Sequence, residues 1–143
     1  MPTVVAVVAT LVVIVLTALA ALHVRWAFGG DAGASAAVPE HDGAPLFRPG
    51  PAACLIVAAL LAGAALIVVC KATGWSAPFL PRGWATVGAI AVAVAFTGRA
   101  IGDFRWVGFF KRRRGTKFAR YDSWAYSPLC LMLGIGALVV ALA

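Results

Sequence analysis

Four long apolar segments dominate the chain, and polar or glycine- and proline-rich connections separate them. They cover residues 4–22, 52–70, 84–101 and 129–143. The first two contain 19 residues each, which as helices measure about 28 Å, close to the roughly 30 Å hydrocarbon core of a bilayer. The pattern predicts an all-α, polytopic membrane protein: one four-transmembrane-helix bundle with helices at about 3–26, 51–71, 83–102 and 127–143, and long loops at 27–50 and 103–126.

Local signals support these boundaries. Pro49 and Pro51 open the second segment, and Ser127-Pro128 opens the fourth with an N-cap residue followed by proline at the first helical position. No Lys or Arg precedes Val4, so we expect the first segment to be a retained helix and not a cleaved signal peptide. Phe104 to Phe110 is too aromatic for a solvated tether, and we expect an interfacial segment there.

Composition agrees with a membrane protein. Hydrophobic residues make up 63% of the 143 positions and the mean hydropathy is +0.97, whereas a soluble domain is about 45–50% apolar. One small membrane domain, residues 1–143, accounts for this excess. The three cysteines have no paired spacing, and we interpret them as small buried hydrophobic residues. A Cys54–Cys130 pair stays geometrically possible, because both residues are expected at the same depth, but a cytoplasmic location would keep it reduced.

The distribution of basic residues predicts the orientation. The net charge is +7, and eight of the twelve basic residues lie between Arg99 and Arg120. An excess of Lys and Arg marks the cytoplasmic side of a membrane protein, so both long loops should be cytoplasmic and both termini outside. We expect residues Lys111 to Arg120 to contact anionic lipid headgroups, and no nucleic-acid partner is expected.

Arg99 is the deepest charge in the apolar segments, and Asp103 follows it four residues later. That spacing places two side chains on one face of a helix. Because an unpaired cation costs about 2.5–3.5 kcal/mol at the centre of a membrane helix and less near an end, we expect Arg99 to pair with Asp103. The pair either anchors the helix end or lines a binding or catalytic cavity, and both interpretations stay open.

Three further polar residues lie near the same end of the predicted bundle: His23, Arg105 and Asp122. His23 is either an interfacial residue favoured by the helix dipole or a proton donor that faces the bundle. Asp122 could cap the fourth helix or face Arg99 or Arg105. We predict that Arg99, Asp103, Arg105, Asp122 and His23 converge in one solvent-reachable pocket.

The first loop carries a loose acidic group, Asp31, Glu40, His41 and Asp42. Glu-His-Asp in sequence invites a metal interpretation, but no second cluster with ligand spacing accompanies it, and we expect a solvated loop. The chain has no Walker loop, no dinucleotide fingerprint after a strand, no nucleophile elbow and no paired Cys motif. We therefore expect neither a cofactor nor a bound metal.

Three motifs resemble those of a known family: Trp26-x-x-Gly-Gly30, Arg99-Ala-Ile-Gly-Asp-Phe-Arg-Trp-Val-Gly-Phe-Phe-Lys111, and Phe118-Ala-x-x-Asp122-x-x-x-Tyr-Ser-Pro-Leu-Cys130. The resemblance is to a family of short bacterial membrane proteins catalogued only as a domain of unknown function. It covers nearly the whole chain. It implies a four-helix protein of the bacterial inner membrane, suggests that the first and third loops form one site, and implies no activity.

Two functional hypotheses follow from the residues. The first is a membrane-embedded enzyme, of a proton-driven isomerase or cyclase type, that acts on an apolar, lipid-like substrate. Asp103, Asp122 and His23 would be its general acid or base groups, and Arg99 or Arg105 would hold an anionic or carbonyl oxygen. The second is a non-catalytic membrane component, a transporter-like or partner-binding bundle that contacts anionic lipid. Self-association into a homo-oligomer stays open under either hypothesis.

Overall fold

Four long helices make up most of the protein. The computed structural model describes residues 3–30, 33–41 and 44–143. The helices are α1 (Thr3–Ala27), α3 (Pro51–Thr73), α4 (Trp84–Ile101) and a continuous helical run from Lys117 to Leu142, and each is long and apolar enough to cross a membrane. The protein is therefore a multi-pass membrane protein with an all-α bundle.

Glycine and proline set several of the helix ends. Pro51 occupies the first turn of α3, where its missing N–H is not needed. Gly74 ends the same helix in the left-handed conformation, with φ +73°, which glycine adopts without a Cβ penalty. Gly102 ends α4 with φ +91°, and the chain reverses direction there.

The helices pack as two pairs that meet in a common core. α1 lies mainly against α3, and α4 lies mainly against the last helix. Leu16, Val68 and Val140 are fully buried between them. Gly136 faces Val12, and Gly134 lies so near Thr97 that an added Cβ would be 2.5 Å from the hydroxyl oxygen. Small residues thus allow the close backbone approach on which helix association in a membrane depends.

The outer surface of the bundle is apolar. Between 22% and 39% of the residues in the most apolar window of each span are buried inside the protein. Large side chains such as Leu11, Leu60, Val94 and Leu142 are more than half exposed. Because lipid hydrocarbon satisfies such surfaces, an apolar exterior is what a membrane-spanning bundle requires.

The last helical run begins at Lys117, whereas the sequence predicted a loop up to residue 126. It consists of α5 (Lys117–Tyr121), a π-helical turn (Asp122–Tyr126) and α6 (Ser127–Leu142). Thr116 is the N-cap, and its hydroxyl accepts a hydrogen bond from the Ala119 amide at 3.1 Å. The predicted cap at Ser127 is wrong, because Ser127 is buried within the continuing helix.

The two long loops meet at one end of the bundle, which we call the loop end (residues 28–30, 33–41, 44–50 and 102–116). The first loop holds α2 (Ala34–Ala37) and two short antiparallel strands, β1 (Glu40–His41) and β2 (Ala44–Pro45). The Tyr126 hydroxyl donates a hydrogen bond to the Ala36 carbonyl at 3.2 Å. The His41 ring lies 5.6 Å from that of Trp106. These contacts join the first loop to the third loop and to the last helix.

Candidate functional site: the buried ionic cluster and the groove at the loop end

The third loop folds back onto the end of α4 through two glycines. Gly102 and Gly108 both have positive φ, and a Cβ on Gly102 would overlap the Val107 carbonyl. The Gly102 amide donates to the Gly98 carbonyl at 2.9 Å, and the Phe109 amide donates to the Ala100 carbonyl at 2.8 Å. The close approach requires glycine at both positions. The segment between them is irregular and not helical.

Asp103 organises this reversal. Its Oδ1 accepts hydrogen bonds from the amides of Arg105 at 2.9 Å, Trp106 at 2.7 Å and Val107 at 3.0 Å. Slight desolvation of this exposed side chain tends to raise the pKa of Asp103, but the three amide bonds outweigh it and hold the pKa below its ordinary value. The carboxylate is therefore ionised at neutral pH and closes a turn at the surface.

Asp122 is the centre of a buried ionic cluster. Its side chain is fully buried, and Oδ1 accepts from Arg99 Nη2 at 2.8 Å. Oδ2 accepts from the Gly108 amide at 2.8 Å and from Lys111 Nζ at 2.9 Å. Asp122 begins the π-helical turn, a feature that occurs mostly as short insertions in α-helices and often at functional sites.

Lys111 belongs to this cluster and not to the exposed basic block. It is 3% exposed, and its ammonium donates to the Gly108 carbonyl at 3.0 Å, to Asp122 and to the Ser123 hydroxyl at 2.7 Å. Those three bonds use all three donors of a lysine. Lipid headgroups therefore cannot reach Lys111, which removes it from the predicted lipid-contacting range.

The predicted pair of Arg99 with Asp103 is wrong, because the partner of Arg99 is Asp122. The helix ends at Ile101 and Gly102 turns the chain away, so Asp103 does not reach the helix face where an i, i+4 pair would form. The Arg99 side chain is 35% exposed. Its Nη1 is buried and has no hydrogen-bond partner within the described residues.

Arg105 lies outside the ionic cluster. Its guanidinium is 5.4 Å from the Trp106 ring centroid, and Arg113 lies at the same distance from that ring. Arg105 shares a surface depression with Asp103. The two residues thus belong to the outer surface of the third loop.

His23 lies in a separate groove at the loop end, between α1 and α3 and beneath the first loop. Its Nδ1 is 2.8 Å from the Leu19 carbonyl, and its ring meets the Trp26 ring edge-on at 4.8 Å. The groove has a volume of about 580 Å³. Its lining residues come from the end of α1, from the first loop and from the start of α3.

The structure thus brings together two of the five predicted site residues, Arg99 and Asp122. It places Asp103 and Arg105 at the surface and His23 in the groove, so the expected common pocket does not form. Sequence reasoning missed Lys111 and Gly108, although both stand in the motif that ends at Lys111. Lys111 is the first of four consecutive basic residues, and nothing in the sequence distinguishes this buried lysine from its three exposed neighbours.

The acidic group predicted in the first loop is only partly described. Asp31 and Asp42 lie outside the described residues. Glu40 lines the groove, and His41 lies against Trp106. Within residues 3–30, 33–41 and 44–143, no three His, Cys, Asp or Glu side chains are grouped so that they could hold a metal ion.

Comparison with known proteins gives one family and no relative of known activity. No curated protein and no solved structure matches the chain. A family model matches residues 16–137, which include α3, α4, both long loops, the second half of α1 and most of the last helix. The chain therefore belongs to the family described as "Protein of unknown function (DUF3995)".

Proposed function

We propose that the protein is a non-catalytic component of the bacterial plasma membrane whose third loop contacts anionic lipid headgroups. The observation that carries this proposal is the complete engagement of Asp122. Each of its oxygens accepts a bond from a cation, and the carboxylate is fully buried. The cluster holds the third loop against the bundle and leaves the rest of its basic residues exposed.

The same geometry disfavours the isomerase or cyclase hypothesis. A general acid or base must come within about 2.6–3.2 Å of the group with which it exchanges a proton, directly or through one water. Asp122 is closed off by Arg99, Lys111 and Gly108. Asp103 closes a turn at the surface and does not line the groove that contains His23. The three groups therefore have no common substrate position.

The exposed residues of the third loop and of the start of the last helix suit a charged membrane interface. Arg112, Arg113, Arg114, Lys117 and Arg120 are all exposed. Beside them, Phe104, Phe110 and Trp124 are 57%, 62% and 87% exposed. Basic residues next to aromatic side chains at the end of a membrane helix are typical of headgroup contact, and each cation near an anionic surface contributes about 1 kcal/mol.

A lipid-dependent stability measurement tests this proposal. The thermal midpoint of the purified protein should rise more with phosphatidylglycerol than with phosphatidylcholine, and 0.5 M salt should reduce the difference. The double variant Arg112→Gln with Arg114→Gln should lose most of this difference between the two lipids. The control double variant, Lys71→Gln with Arg82→Gln at the opposite end of the bundle, should keep the difference. Arg113 is left intact because it lies over Trp106. Equal loss in both double variants would overturn the proposal.

The orientation is tested independently. Both long loops are proposed to be cytoplasmic, so a periplasm-only reporter fused after Ala143 should give signal and a cytoplasm-only reporter should not. The reverse result would place the basic loop outside and would contradict the assignment.

A further inference from the structure

The groove that contains His23 is separate from both the ionic cluster and the basic surface. We propose that it binds an apolar molecule with a small uncharged polar end, of the long-chain alcohol type. This proposal does not depend on lipid contact by Arg112 and its neighbours, because none of those residues lines the groove.

The size and lining of the groove suit a small molecule. Its volume of about 580 Å³ falls within the roughly 300–1,000 Å³ typical of ligand sites, which are mostly apolar with a few placed polar groups. Val38, Pro45, Phe47, Pro49 and Val57 supply apolar surface. Phe47 is 56% exposed, so an apolar ligand would cover a side chain that is otherwise in contact with water or headgroups.

The polar lining groups indicate an uncharged headgroup. Glu40 and Arg48 both line the groove, and no ion pair joins them within the residues that the structure describes. A charged ligand end would be attracted by one of them and repelled by the other. A hydroxyl can instead accept from the guanidinium and donate to the carboxylate.

His23 adds a second acceptor. Its Nδ1 lies 2.8 Å from the Leu19 carbonyl, so a neutral ring donates its only N–H there and keeps Nε2 as an acceptor. No partner for Nε2 is found among the described residues. A ligand hydroxyl has one proton, so it can donate either to this nitrogen or to the Glu40 carboxylate.

The position of the groove allows entry from the bilayer. His23 and Trp26 lie in the last two turns of α1, and Ala53 and Val57 lie in the first two turns of α3. The groove therefore lies where two membrane spans reach the loop end. A ligand from the bilayer can keep its apolar part along the helices and place its polar end beneath the first loop.

Photolabelling of the full chain in lipid nanodiscs tests the proposal. The probe is a sixteen-carbon alcohol with a diazirine in mid-chain, and labelled peptides are identified by mass spectrometry. Labelling should be saturable and should map to the end of α1, to the first loop and to the start of α3. Ala53→Phe fills the groove from an exposed lining position, and Ala52→Phe, also exposed but not in the lining, is its matched control.

We expect Ala53→Phe to weaken labelling by about tenfold or more, which corresponds to about 1.4 kcal/mol, and Ala52→Phe to leave it unchanged. The unlabelled alcohol should compete better than the alkane of equal length, and His23→Phe should reduce that preference. Equal labelling of both alanine variants would overturn the site. A fatty acid that competes better than the alcohol would overturn the preference for an uncharged headgroup. An alkane that competes as well as the alcohol would show that the groove binds acyl chains without recognising a polar end, and this would overturn the proposal.

Discussion

Asp122→Asn should be among the most destabilising single changes in this protein. The substitution keeps the shape of the side chain and removes its charge, so Lys111 remains buried with only the Gly108 carbonyl and the Ser123 hydroxyl as certain acceptors. It also leaves two cations, Lys111 and Arg99, near each other without a carboxylate between them.

The magnitude follows from burial. The Lys111 and Asp122 side chains are 2% and 0% exposed, and removal of one partner of a buried pair costs about 3–5 kcal/mol. The Arg99 side chain is 35% exposed, so solvent screens its ion pair with Asp122, and the loss of that pair should cost at most about 1 kcal/mol. We therefore expect the free energy of unfolding to fall by about 3–5 kcal/mol, a large part of the 5–15 kcal/mol typical of a folded protein.

The assay is reversible unfolding by sodium dodecyl sulfate from dodecyl maltoside micelles, followed by circular dichroism. Asp103→Asn is the matched control: this carboxylate is exposed and bonded only to amides, and its loss should cost at most about 1 kcal/mol. The double variant Lys111→Met with Asp122→Asn should be more stable than Asp122→Asn alone, because it removes both buried charges. The reasoning would be refuted if the free energy of unfolding lost by the double variant equalled the sum of the losses in Lys111→Met and in Asp122→Asn.

Two further predictions concern the fold-back of the third loop. Gly102→Ala should lower the free energy of unfolding by more than about 1 kcal/mol, because φ is +91° and the new Cβ would overlap the Val107 carbonyl. Gly63→Ala is the control: this glycine has open space beside it in α3, so the substitution should raise the free energy of unfolding by up to about 1 kcal/mol. The pKa of Asp103 is lowered in the folded protein, so the ionised carboxylate stabilises the fold. This contribution to the free energy of unfolding should be complete above the unfolded pKa of about 3.9, and it should be lost as the pH falls through the lower folded pKa. Unfolding measured between pH 2.5 and pH 6 should show this loss in the wild type and not in Asp103→Asn.

The architecture could be predicted from the sequence because its signal is local. A run of about 20 apolar residues can satisfy its backbone in a bilayer only as a helix, so hydropathy alone predicted four spans. The position of Arg99 near the end of the third span was readable in the same way. Only the start of the last helix was misplaced, because α5 and the π-helical turn are too polar to join an apolar segment.

The partners of the charged residues could not be predicted from spacing. The i, i+4 rule holds only while the helix continues, and α4 ends at Ile101 before Asp103. The carboxylate that pairs with Arg99 comes from the next helix, 23 positions later. Its approach depends on the reversal at Gly102 and Gly108, which no periodic pattern encodes.

The sequence by itself therefore determined which segments enter the membrane and which end of the bundle carries the charge. Tertiary structure alone decided which cation is buried, which carboxylate it meets, and that His23 lies in a groove away from both. The physical reason is that burial of apolar surface is additive along a segment. The pairing of buried charges instead depends on distances of a few ångströms between residues that an irregular loop brings together.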